Sequence, residues 1–108
     1  MLIVHTSFPD QATAEALAQQ LIEHRLAACV HVGAPIQAYY LWQGKVEAAT
    51  EIPLIIKTSR VRYTALEHYL KAHHPYEVPE IVAIPVTKAL PAYYGWVQRE
   101  SEDALSSP

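Results

Sequence analysis

The sequence predicts an α+β sandwich: an antiparallel sheet with two long helices on one face and a further helix at the C-terminal end. Three observations carry this. Short β-rich runs bounded by Pro, Gly and Ser alternate with segments whose apolar residues recur at helical spacing. Their order is β-α-β-β-α-β and then one more helix, the split βαβ order of ferredoxin-like sandwiches. The runs "LIIK" and "IVAIPV" are apolar on both faces, as in strands covered on both sides.

Leu2 to Thr6 reads as the first strand, and "SFPD" breaks it. Asp10 stands at the N-cap of a helix from about Gln11, where a carboxylate can take a free backbone N–H. Ala14, Leu17, Ala18, Leu21 and Ile22 fall at i, i+3, i+4, i+7 and i+8, one buried stripe. His24 and Arg25 close the helix, where cations suit the dipole. "AACVHV" (Ala27 to Val32) is a second strand, stopped by "GAP".

Ile36 to Val46 alternates. Ile36, Ala38, Tyr40, Trp42 and Val46 are expected on one face, with Gln37, Tyr39, Gln43, Lys45 and Glu47 on the other. Gly44-Lys45 is the expected start of a type II′ turn. The return arm reaches Leu54 to Thr58, and Pro53 signals an edge or bulge. Ser59 is the expected cap of a second helix, from about Arg60 to His73, ended by Pro75. Ile81 to Val86 is a buried-type strand, and Pro91 sits in the first turn of a last helix reaching about Glu102. Residues 1–102 form one expected domain, and 103–108 a polar tail.

The chain has 108 residues, 51% hydrophobic and 18% charged, which describes a folded domain rather than a disordered one. Its net charge of −3, with no basic block, argues against a nucleic-acid or acidic-membrane binder. The single cysteine, Cys29, cannot form an intrachain disulfide. "MLIVHTSF" has no basic leader pattern and no segment reaches membrane-spanning length, so the expected compartment is the cytoplasm. Two helices on one sheet face leave the other face bare, and one terminal helix covers only a stripe of it. An exposed apolar face of that size predicts an oligomer.

"AHHPYEVPEIVAIPV" contains the densest group of metal-binding residue types. Neighbours on a helix point about 100° apart, so His73 and His74 converge only if Pro75 forces His74 out of helical geometry. Glu77 and Glu80 are then the nearest additional donors, and imidazoles with carboxylates suit Cu(II), Zn(II) or Ni(II). The competing reading is a helix end, with histidines on the C-terminal dipole and prolines steering the chain into a strand. Cys29 has His31 two residues on, on the same strand face, but reads as a small buried hydrophobe. Tyr39, Tyr40, Trp42, Tyr93, Tyr94 and Trp96 read as packing. Walker, G-x-G-x-x-G, H-E-x-x-H and G-x-S-x-G patterns are absent, and no catalytic role is expected.

The segments "PDQATAEALA", "LAACVHV", "YLWQGKVE", "LIIKTS", "HHPYEVPEIVAIPV" and "YYGWV", in this order, resemble the CutA family of divalent-cation-tolerance proteins from Leu2 to about Val97. The resemblance implies a ferredoxin-like homotrimer similar to the PII signalling proteins, with a role in tolerance to copper and other divalent ions. It places copper-binding residues on His73 and His74. A further family ligand, a cysteine at the end of the first strand, falls on Thr6 here. That departure weakens a Cu(I)-type site and leaves Cu(II) or Zn(II) on imidazoles and carboxylates. Cys29 matches a family cysteine that looks structural. The expected function is therefore a trimeric, metal-binding tolerance protein with no organic cofactor, nucleic acid or membrane partner. The alternative is a PII-like signalling trimer that binds a small ligand or a regulated protein at clefts between subunits.

Overall fold

The computed structural model describes residues 1–102; the expected tail, 103–108, lies outside them. Strands β1 (Leu2–Phe8), β2 (Cys29–Val32), β3 (Ile36–Trp42), β4 (Lys45–Thr58) and β5 (Val82–Pro85) are joined by helices α1 (Gln11–Glu23) and α2 (Tyr63–His73), and α3 (Pro91–Glu100) follows. All strand pairs are antiparallel. The main sheet runs β2-β4-β1-β5, and β3 pairs only with the first half of β4. The architecture is the expected ferredoxin-like sandwich with an added C-terminal helix.

Alternation along the strands sorts the faces. Val4, Phe8, Leu54 and Ile56 meet Ala14, Leu17 and Leu21 of α1 and Leu66 and Leu70 of α2 in one buried core. The opposite positions, Ile3, His5, Ile55, Val82 and Ile84, are half-buried or exposed. There Lys57 Nζ donates to His31 Nδ1 at 3.3 Å. Helix α3 buries Val97 against Met1 and Ala28, with Val86 beside them, and its Tyr93 reaches Cys29. The rest of that sheet face stays open, as the sequence led us to expect.

β1 runs two residues past Thr6, because Ser7 and Phe8 continue the ladder opposite Pro53 and Ile52. Pro53 thus sits in a central strand. Its carbonyl accepts from Gly33 N–H at 2.9 Å, which places its nitrogen on the side where β2 has ended and β3 has not begun. Proline cannot return a bond to the Gly33 carbonyl, so this pair keeps a single hydrogen bond at the point where the sheet partner changes.

The hairpin turn is Gln43-Gly44, with φ of 52° and 79° between the paired residues Trp42 and Lys45. Two positive φ values define a two-residue type I′ loop, one residue earlier than the expected II′ turn. The shift moves Val46 opposite Leu41 and leaves Tyr40 and Trp42 facing Glu47 and Lys45. Residues 39–48 are exposed throughout.

Asp10 caps α1 as expected. Thr13 N–H donates to Oδ1 at 2.8 Å and the Thr13 hydroxyl to Oδ2 at 3.0 Å. These donors hold the Asp10 carboxyl below its usual range. Ser59 does not cap α2: it makes no side-chain cap bond, and a short 3-10 turn, Arg60–Arg62, intervenes. The turn closes instead through Arg62 N–H to the Ser59 carbonyl.

At the other end of α1, Arg25 holds φ 55°. Leu26 N–H bonds the Leu21 carbonyl and Arg25 N–H the Ile22 carbonyl, the Schellman pattern that usually takes glycine at this position. Arginine occupies it because its guanidinium donates to the carbonyls of Arg99 and Glu102, tying the ends of α1 and α3 together. Arg25→Ala is expected to cost about 2–3 kcal/mol, since charged hydrogen bonds go while the left-handed strain stays. Arg25→Gly relieves that strain and is expected to be about 1 kcal/mol more stable than the alanine variant. Urea denaturation of the two variants checks the order.

Candidate functional site

Helix α2 ends where the sequence places the break. His73 is its last residue, and His74, before Pro75, has φ −84° and ψ 134°, an extended conformation. The two imidazoles then part. The His73 ring stacks on Tyr69, centroids 4.1 Å apart, and its Nδ1–H donates to the Tyr69 carbonyl at 2.8 Å. Its Nε2 makes no hydrogen bond among the described residues, and the side chain is exposed.

The His74 ring turns to the end of β1. It stacks on Phe8 with centroids 4.4 Å apart. Its Nε2–H donates to the Ser7 carbonyl at 2.7 Å, and its Nδ1 accepts the Tyr76 N–H at 3.2 Å. The carbonyl can only accept and the amide can only donate, so the tautomer is assigned with the proton on Nε2. Both ring nitrogens are engaged, and in this arrangement neither offers a lone pair to a metal.

The Ser7 hydroxyl donates to Glu51 Oε1 at 2.9 Å, and the Tyr76 hydroxyl also faces Glu51. Ser7, Glu51, Tyr76 and His74 thus close a polar ring at the junction of sheet and hairpin. Burial first, then the Glu51 charge, raises the Tyr76 hydroxyl above its usual pKa. Burial lowers His74 below 6.5, against the opposite pull of the Ser7 carbonyl and Glu51.

Because folding depresses this pKa, the unfolded chain holds the proton in the window just below pH 6.5 while the folded chain does not. Stability is therefore present above that window and falls as pH falls through it. A protonated Nδ1 would also face the Tyr76 N–H. The drop in denaturation midpoint between about pH 7 and pH 5 is expected to be smaller in His74→Gln than in wild type. Parallel titration of the two proteins isolates this ring from the other histidines.

Beside the polar ring lies a groove of about 590 Å³ between Tyr40, Trp42 and Glu51 of the hairpin and Tyr76, Glu77 and Glu80 of the following loop. Among the described residues, no lysine or arginine lines it. Glu77 and Glu80 are exposed. Among the described residues, no three His, Cys, Asp or Glu side chains are grouped so as to hold a metal ion. Thr6 is buried on the helix-facing side of β1, 2% exposed, its hydroxyl without a partner among the described residues. Cys29 is half-buried and meets Tyr93; no hydrogen bond joins it to His31.

Sequence reasoning missed Ser7 and Glu51. They lie 44 residues apart, and only the register of β1 on β4 brings them together. Tyr76 lay inside the quoted motif, but nothing local marked it as the link to Glu51.

A ferredoxin-like sandwich with a C-terminal helix, an open sheet face and an acidic groove beside a projecting hairpin defines the class of protein. The chain belongs to the CutA1 divalent ion tolerance protein family, which it matches over residues 2–100. It is 36% identical over 99 residues to the divalent-cation tolerance protein CutA of Archaeoglobus fulgidus, covering 92% of this chain and 96% of that one. It is 40% identical over 93 residues to the protein CutA homolog of Xenopus laevis and 37% identical over 99 residues to the protein CutA of Mus musculus. It spans 62% and 56% of the length of those two relatives, which cover 86% and 92% of this chain. Among solved structures, CutA of Xylella fastidiosa superposes with a TM-score of 0.90 at 39% identity, covering 94% of this chain and 97% of that one. The divalent cation tolerance protein of Thermus thermophilus gives a TM-score of 0.89 at 37% identity, over 93% and 98% of the two chains.

Proposed function

We propose that this chain acts in divalent-cation tolerance as a homotrimer that takes Cu(II) or Zn(II) on imidazole and carboxylate donors. The observation that supports the reading most is the family match across residues 2–100. His73 contributes the ring nitrogen that has no hydrogen-bond partner, with Glu77 and Glu80 as nearby exposed carboxylates in sequence. His74 acts by positioning the loop, since both its nitrogens are engaged. Water or a neighbouring copy completes the coordination, because one chain groups too few donors. The open sheet face and the exposed hairpin support the trimer: an isolated two-stranded hairpin is marginally stable in water. The unpaired Cys29 suits a reducing compartment such as the cytoplasm.

Calorimetric titration of Cu(II) and Zn(II), without chelating buffer, tests the reading in wild type, His73→Ala and His74→Ala. Submicromolar binding at fixed stoichiometry, lost in His73→Ala while the mass by light scattering is kept, is the expected result. Binding untouched by His73→Ala removes that ligand assignment.

The groove favours a second reading: a signalling trimer that binds a small ligand. A metabolite that raises the melting temperature by mass action, with no metal present, would establish it.

A further inference from the structure

We propose that the groove between the hairpin and the 76–80 loop binds a short alkyl diamine in its doubly protonated form. The proposal rests on the small-ligand reading and names its ligand class.

Charge selects a cation. Glu51, Glu77 and Glu80 line the groove and, among the described residues, no basic side chain does. Lys45 shares the Trp42 face but lies at the turn, outside the lining. Glu51 is the organised member. The Ser7 hydroxyl holds it, with the Tyr76 hydroxyl beside it, and Ser7 is only 6% exposed. A carboxylate has about four lone-pair sites, so these contacts leave capacity for an incoming N–H.

The surfaces around the carboxylates favour an organic cation over hydrated Mg(II) or Ca(II). Mg(II) and Ca(II) want several converging oxygens, and among the described residues no three His, Cys, Asp or Glu side chains are grouped to hold a metal ion. The groove instead carries the rings of Tyr40, Trp42 and Tyr76, with Val78 and Pro79 beside them. Aromatic faces attract ammonium groups and shelter methylenes, whereas a tightly hydrated ion gains little from them. Two ammonium groups fit better than one because the carboxylates are divided. Glu51 belongs to the β4 wall, and Glu77 and Glu80 belong to the loop. A flexible four-carbon spacer lets one ammonium group meet each wall.

The test is calorimetric titration of the full chain with 1,4-diaminobutane at low salt, beside 1-aminobutane and 1,4-butanediol. Saturable binding of one diamine per chain is expected, with the monoamine weaker by about tenfold or more and the diol silent. Glu51→Gln and Trp42→Leu are each expected to weaken the diamine by about tenfold, with melting temperature and mass confirming that the variants fold. If Glu51→Gln disturbs the fold, the exposed pair Glu77→Gln with Glu80→Gln replaces it and is expected to give the same loss. No saturable diamine binding, equal binding of the diol, or affinity unchanged in the folded variants would overturn the proposal. An anionic metabolite such as ATP that stabilises the protein while the diamine does not would leave the small-ligand reading standing and sink this one.

Discussion

Replacing Phe8 by alanine is expected to lower the free energy of unfolding by about 3–5 kcal/mol. The ring is fully buried, in the cluster that joins β1 and β4 to α1 and α2. Truncation removes its transfer free energy and leaves a cavity that a close-packed interior fills only in part. Phe8 also carries the His74 ring stacked on it. Losing that support loosens the two hydrogen bonds that fix the start of the 75–80 loop. Phe8→Leu keeps most of the volume and is expected to cost less, about 1–2 kcal/mol, while still losing the stack. Two measurements separate these contributions: urea midpoints at constant m-value, and hydrogen exchange at the Tyr76 amide. Midpoints report the core, and faster exchange at Tyr76 in both variants reports the lost stack. A Phe8→Ala cost under about 1 kcal/mol would mean that this end of β1 is not part of the cooperative core.

Ile84→Glu is expected to dissociate the proposed trimer. Ile84 is 50% exposed in the single chain and pairs with Ile3 on the open face. On a monomer the change touches an exposed position and stays within about 0.5 kcal/mol. In an assembly that covers this face, it buries an unpaired carboxylate, which costs several kcal/mol. Light scattering at micromolar concentration should show wild type at three times the chain mass of 12.1 kDa and the variant at or near the single-chain mass. The wild-type melting temperature should also rise with protein concentration, as an assembly requires. Unchanged mass in the variant would show that copies meet elsewhere, with the hairpin as the next surface to test.

These two positions show how differently parts of the molecule were written in the chain. The element order, the α1 stripe through Leu17 and Leu21, the Asp10 cap, the helix stop before Pro75 and the open second sheet face were all legible in the sequence. Each follows from side-chain periodicity or from steric rules that act within a few residues. The fold class follows from adding such local rules along the chain.

The type I′ turn at Gln43-Gly44, the left-handed Arg25 and the missing Ser59 cap were not legible. Each depends on a partner far along the chain or on the pairing of two strands. The candidate site belongs mostly to this second group. "HH" reads as a pair in sequence, yet one ring lies back on its own helix and the other crosses to β1. That choice was made by the Ser7 carbonyl and the Phe8 ring, 67 and 66 residues before His74. The Ser7–Glu51 link and the acidic, aromatic groove likewise exist only once β1, β4 and the loop after α2 are packed. Periodicity fixes which face a residue takes, because that is a property of the local backbone. Which atom a polar group meets is decided through space, by register and packing, and there the tertiary structure alone assigned the partners.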